Sequence, residues 1–252
     1  MKITKSNYFW MAGFAALSVF MAGFCILLGS MGREKNEMNI IAVSAQEQPI
    51  QVIIDPGHGG EDGGCVAADG TLEKDLNLEI SKKVCMILKA AGINAVLSRD
   101  EDVMLYDMYG DLHDYTNVKK TYDLKNRVRF AKEIDPDLFV SIHMNKFSDS
   151  TYSGFQMYYS DNESDSITAA LRIQKYVTEF IQPDNDREIK RAGSNIYILH
   201  RACVPAVLCE CGFLSNTDER DLLKDEEYQK RLAFSIAMGV IESLYCMQEG
   251  EN

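Results

Sequence analysis

The stretch "IIDPGHGGEDGG", Ile53 to Gly64, ends an apolar run in a turn crowded with glycine. Val52–Asp55 reads as a strand and residues 57–64 as the turn that follows it. Histidine is a poor turn residue beside so many glycines, so chemistry rather than turn geometry accounts for His58. The flanking glycines let a ligand approach the backbone closely. A phosphate cradle is a poor reading of the same turn, because no Lys-Ser/Thr pair ends it.

Working outward, strand-like and helix-like runs alternate. Asp75–Ala91 has the helical period, with Leu76, Ile80, Val84, Ile87 and Leu88 on one face and Gly92 as its stop. Ile93–Ser98 predicts a strand, Leu124–Ile134 a helix ended by Pro136, and Leu138–His143 and Phe155–Tyr159 two strands. Ser166–Ile181 predicts a helix, Asn195–Leu199 and Val204–Glu210 strands, and Glu227–Tyr245 the closing helix. Such alternation predicts a single α/β domain: a mostly parallel, twisted sheet of about six strands with helices on both faces. Arg99–Tyr122, rich in Asp and Tyr, reads as a long loop or insertion beside the sheet.

His58 follows the first strand, His143 closes Leu138–His143, and Glu210 closes Val204–Glu210. Ligands of open parallel sheets bind beyond the carboxyl ends of the strands, so these side chains converge if the three strands are neighbours. Glu210 ends an apolar run between Cys209 and Cys211, where a carboxylate needs a partner or a function. Two histidines and a carboxylate suit a zinc ion with one position open, and a further carboxylate can then move protons. Plainer readings stand beside these. A histidine at a strand end often only makes hydrogen bonds, and a glutamate in a first helical turn, as Glu73 is, is favoured by the helix dipole alone.

The chain has 252 residues, 46% hydrophobic and 25% charged, with a formal net charge of −12. That composition is globular, and the negative balance opposes nucleic-acid binding and non-specific adhesion to anionic polymers. Seven cysteines at irregular spacing, among them the CxC of Cys209 and Cys211, form neither a disulfide framework nor a cysteine zinc site. Tyr8–Met31 holds no charged residue and follows Lys2 and Lys5. Residues 1–31 therefore read as a single-pass membrane anchor with the domain outside the cytoplasm, or as a secretion signal if cleaved near Val43–Ala45. Residues 32–48 read as a tether and 49–248 as the catalytic domain.

Four blocks, "DPGHGGEDGG", "LEKDLNLEIS", "LFVSIHMN" and "PAVLCECGFLSN", resemble in order and spacing the zinc-dependent N-acetylmuramoyl-L-alanine amidases of bacterial cell walls. The resemblance runs from Gln51 to about Tyr245. It implies one zinc ion held by His58, Glu73 and His143, with Glu210 as the catalytic acid/base, and so replaces the dipole reading of Glu73. Asn145, two residues past a ligand, is a candidate substrate contact. The substrate implied is peptidoglycan, glycan strands with stem peptides, cut at the amide between the lactyl group and L-alanine. The anchor, a lone amidase domain and the "EDVMLYD" and "YDLKNRVRF" segments resemble the spore-cortex type. Met144 stands where many relatives carry a small residue, which implies a narrower cleft, and the span from His143 to Gly154 leaves little room for a blocking helix. Competing expectations are a vegetative autolysin of the same chemistry, a zinc peptidase, and a non-catalytic peptidoglycan-binding module. An activator protein, if one acts, is not named by the sequence.

Overall fold

The structure, a computed structural model, describes residues 51–249. The expected anchor 1–31 and tether 32–48 lie outside the described residues. No helix among the described residues is long and apolar enough to cross a membrane.

The strands are β1 (Gln51–Pro56), β2 (Asn94–Leu97), β3 (Leu138–Asn145), β4 (Gln156–Tyr159), β5 (Lys190–Arg191) and β6 (Ala206–Phe213). The helices are α1 (Glu73–Ala90), α2 (Lys119–Ile134), α3 (Asp165–Phe180), α4 (Tyr197–Arg201), α5 (Thr217–Lys224) and α6 (Glu226–Glu249). They build one sheet in the order β2-β1-β3-β6-β4-β5. β2, β1, β3 and β6 run parallel, β4 is antiparallel to β6, and β5 is parallel to β4. Parallel neighbours need long crossovers, and α1 and α2 supply those from β1 to β2 and from β2 to β3.

Strand alternation divides the core into two layers. Val52, Ile54, Val140, Ile142, Met157 and Cys209 pack under α1, α3 and α6, while Ile53, Phe139 and Leu208 face Ala131 of α2 and Leu199 of α4. Burying each of the Val, Ile, Leu, Phe and Met side chains contributes roughly 1.5–3 kcal/mol. Along α6, Ser235, Gly239 and Ser243 recur every fourth residue. A Cβ at Gly239 would strike the Ile173 backbone, so α6 lies directly against α3 at this point.

Two expectations need correction. Asn195–Leu199 is not a strand; its second half opens α4, and the edge strand is the two-residue β5 instead. The side chains buried there, Ile198 and Leu199, are consecutive rather than alternate, which is the spacing of a helical turn covering the sheet. Met144 does not narrow the cleft. Alternation turns it away from His143 and into the layer beneath α1, where it is buried.

Candidate metal centre

β1, β3 and β6 are neighbours, so His58, His143 and Glu210 meet at one end of the sheet. His58 sits just past β1 with φ of 60°, a left-handed conformation that costs a β-substituted residue roughly 1–3 kcal/mol. Two arginines hold it there. Arg127 donates to the carbonyls of Pro56 at 2.9 Å and His58 at 2.7 Å. Arg99 donates to those of Pro56 and Gly57, both at 3.0 Å. Three consecutive carbonyls at the end of β1 are thus pinned by guanidinium groups. Arg127 is itself buried between Asp55 at 2.6 Å and Asp123 at 2.8 Å, and Ser141 donates to Asp55. Burial alone would raise the Asp55 carboxyl, but Arg127, Ser98 and Ser141 hold it below the usual carboxylate range.

Two glycines make room for the ligands. A Cβ on Gly57 would fall inside the His143 ring, and one on Gly64, at φ of 68°, would meet the Glu73 carboxylate.

Glu73 is the first residue of α1 and is buried. Its Oε1 lies 2.9 Å from His143 Nδ1 and 3.3 Å from His58 Nε2. Backbone N–H groups orient it: Met144 donates to Oε1 at 3.1 Å and Cys65 to Oε2 at 2.8 Å. Asp62, within the opening stretch, engages His58 Nδ1 at 2.9 Å and so turns Nε2 toward Glu73. Burial would lower the His58 imidazolium, yet Asp62 and Glu73 outweigh it and raise its pKa to about 9. Burial would likewise raise Glu73, but the two imidazoles hold it far below the carboxylate range. These side chains favour positive charge at their centre.

The donor set fits a divalent metal. The two imidazoles and the carboxylate each offer one ligand atom, and these atoms lie within 4.8 Å of one another. Three protein ligands of this kind are the set that leaves a catalytic metal an open position.

Glu210 is the register partner of His143 on β3 and of Gln156 on β4. Its Oε2 is buried and has no hydrogen-bond partner. Burial pushes its pKa up to about 7; His143 and His58 pull it down, and Glu73 pushes it up. A carboxyl poised near neutrality beside a metal-type cluster can both accept and return a proton. Asn145 lies at the same end, where its Oδ1 accepts from Lys146 N–H at 2.8 Å and its carbonyl from Leu214 N–H.

The insertion packs against this centre. Asp102 accepts from Gly60 N–H at 2.8 Å and pairs with Lys74 at 2.6 Å, and a Cβ on Gly59 would strike the Val103 carbonyl. Between β3 and β4 no helix intervenes.

Sequence reasoning missed Asp62, Arg99 and Arg127. Asp62 stands four residues after His58, within side-chain reach across a turn. The signal for Arg127 lay in α2, whose buried stripe is Asp123, Asn126, Arg127 and Ala131. Helical spacing is regular there, but the inward residues are polar.

The chain matches the family described as N-acetylmuramoyl-L-alanine amidase over residues 52–242. It is 32% identical over 200 residues to the germination-specific N-acetylmuramoyl-L-alanine amidase of Bacillus subtilis (strain 168), covering 79% of this chain and 81% of that protein. Among solved structures, the CwlD amidase from Clostridioides difficile in complex with the GerS lipoprotein is 36% identical, with a TM-score of 0.71, covering 78% of this chain and 98% of that one. The amidase AmiC2 of Nostoc punctiforme is 31% identical, with a TM-score of 0.65, covering 78% and 97%.

Proposed function

This chain belongs to the N-acetylmuramoyl-L-alanine amidase family, and we propose that it uses one zinc ion to hydrolyse the lactyl–L-alanine amide of spore-cortex peptidoglycan. The observation that carries the reading is the convergence of His58, Glu73 and His143 near Glu210, whose Oε2 is buried without a hydrogen-bond partner.

Zinc held by His58, Glu73 and His143 would supply Lewis-acid chemistry, acidifying water and polarising the amide carbonyl. Glu210 accepts one proton from the attacking water at its carboxylate while the water oxygen bonds to the lactyl carbonyl carbon. The carbon–nitrogen bond then breaks, and Glu210 returns that proton to the leaving L-alanine nitrogen. The products are a lactyl carboxylic acid and a stem peptide with a free amino terminus. Asp62 holds the His58 ring in the productive tautomer, and Arg127 and Arg99 fix the backbone that carries it. Asn145, whose Oδ1 is committed to the backbone, presents its amide nitrogen to substrate.

The cortex assignment is supported by the germination-specific relative and by the CwlD structure, whose lipoprotein also supports a protein partner for this chain. An anchor in residues 1–31, with the domain outside the cytoplasm, belongs to the same reading, and cell fractionation tests it. Deleting the gene tests the cortex assignment: cortex without muramic lactam is expected. Normal cortex with altered vegetative wall would replace it by the autolysin reading.

A further inference from the structure

β4 is antiparallel to β6 and β5 runs parallel to β4, so the segments leading into β4 and β5 both lie at the carboxyl end of β6. β3 and β4 are the two neighbours of β6, so residues 146–155 cross over that end. It is the end that carries His143 and Glu210. Phe147 stands four residues past His143, no more than about 14 Å away even along fully extended chain. Its ring lies 4.6 Å from that of Tyr152, centroid to centroid, and Tyr152 in turn meets the buried Phe213 at 6.2 Å. Phe147 and Tyr152 remain 49% and 45% exposed, although the backbone that carries them is tied down. Ser215 Oγ accepts from Phe147 N–H at 3.1 Å, Glu219 Oε1 from Gly154 N–H at 2.8 Å, and the Ser153 carbonyl from Arg187 Nε at 2.9 Å. Exposed rings on a fixed backbone receive a ligand with little ordering cost.

A cavity of about 830 Å³ opens beside Tyr152, between residues 151–154 and 181–187. Arg187 stands at its wall, with Cζ 5.0 Å from the Phe213 ring centroid and 5.9 Å from that of Tyr152. The Nη groups of Arg187 and the Tyr152 hydroxyl make no hydrogen bond among the described residues. The other charged residues lining the cavity, Asp184, Asp186, Asp218 and Glu219, are all acidic. These features select the occupant. A pyranose ring carries C–H groups on its faces, which pack on aromatic faces, and hydroxyls at its rim, which suit Tyr152 and Arg187. Four carboxyl groups against one guanidinium oppose an anionic ligand. The substrate of the amidase reading has an uncharged half, the N-acetylated glycan, and a half that ends in a free carboxylate, the stem peptide. We propose that Phe147 and Tyr152 form a sugar platform, which holds an N-acetylated pyranose of the glycan strand flanking the muramyl residue whose amide is cut. The inference rests on that reading and deepens it. The platform makes the rate depend on the sugars around the scissile amide and takes no part in the bond cleavage itself.

The test uses the zinc-loaded protein and purified muropeptides with the same stem peptide, carried either on a single muramyl residue or on a tetrasaccharide. The unsubstituted protein is expected to prefer the tetrasaccharide in kcat/KM. In the Phe147→Ala, Tyr152→Ala double variant that preference should fall about tenfold, through KM rather than kcat, at unchanged zinc content. Tyr152→Phe keeps the ring and should keep most of the preference. No preference in the unsubstituted protein, or one left intact in the double variant, would overturn the proposal. So would an equal loss on both substrates, which marks a purely structural role. A second measurement needs neither a variant nor turnover: saturation-transfer NMR on the unsubstituted protein, irradiated at its aromatic protons, with peptide-free oligomers of N-acetylglucosamine. Transfer to the sugar protons is expected. Transfer to a free stem peptide instead would assign the platform to the anionic half and contradict the proposal. A protein that binds the oligomers yet releases no stem peptide would keep the platform and sink the amidase reading.

Discussion

The guanidinium of Arg127 donates to the carbonyl oxygen of His58 at 2.7 Å across 69 positions of chain. The same side chain reaches Asp55 and Asp123 inside the core, so the metal-type histidine is fastened to the most deeply buried charges of the fold. The left-handed φ of His58 persists because its surroundings leave it no alternative.

Replacing Arg127 by Lys keeps the charge and removes the planar fork. Lysine is a point donor and cannot serve Asp55, Asp123, Pro56 and His58 together. Zinc affinity is expected to drop about 10–100-fold, as for loss of an outer partner of a metal ligand. Competition with a fluorescent chelator, on protein shown folded by circular dichroism, measures it.

Asp55 links stability to acid. Its carboxyl is held below the ordinary 3.8 in the folded state, so the folded form binds its proton less readily than the unfolded form. The ion pair therefore stabilises fully above 3.8, and that stability is lost as pH falls through the lower folded-state value. Urea unfolding should show Asp55→Asn less stable at neutral pH by about 3–5 kcal/mol, the cost of breaking a buried pair. Its stability should also decline less steeply in acid than that of the unsubstituted protein.

Gly57→Ala tests how tightly the turn is fitted to its neighbour. The added methyl would occupy the His143 ring, so the histidine must move. Far-ultraviolet circular dichroism should be close to unchanged, while zinc binding and activity fall together by an order of magnitude or more.

Much of this was legible in the sequence. Apolar period and glycine stops gave β1, α1, β3, α3 and α6 because each buries one face against a regular neighbour. The ends of β1, β3 and β6 gave His58, His143 and Glu210 by position alone. Glu73 was different: as the first residue of α1 it satisfies the helix dipole, and only the resemblance assigned it to the metal. Its contact with both imidazoles depends on the turn 57–64 folding back onto β3, which no local pattern encodes. α4 was misread because two adjacent apolar residues fit a short strand as readily as a helical turn. Arg127 escaped notice because a polar residue inside a layer has no periodic signature.

Glu210→Gln should retain zinc and lose activity by about 10²–10⁴-fold, the usual contribution of a positioned general acid–base. Glu210 must be ionised to accept a proton, so activity should fall on the acid side. Among these side chains its pKa is about 7, and a bound dication lowers it, so the limb should lie at or below that pH. A pH–kcat profile that keeps the same acid limb in Glu210→Gln would assign the proton transfer to another group.

The most direct measurement pairs metal analysis with mass spectrometry of digested peptidoglycan, using protein prepared with and without zinc. The zinc-loaded chain is expected to carry one ion bound through His58, Glu73 and His143, and to release stem peptides that begin with L-alanine. His58→Ala should lose the ion and the reaction together. A folded, metal-free chain that still released those peptides, or a zinc-loaded chain that cut within the peptide instead, would contradict the account.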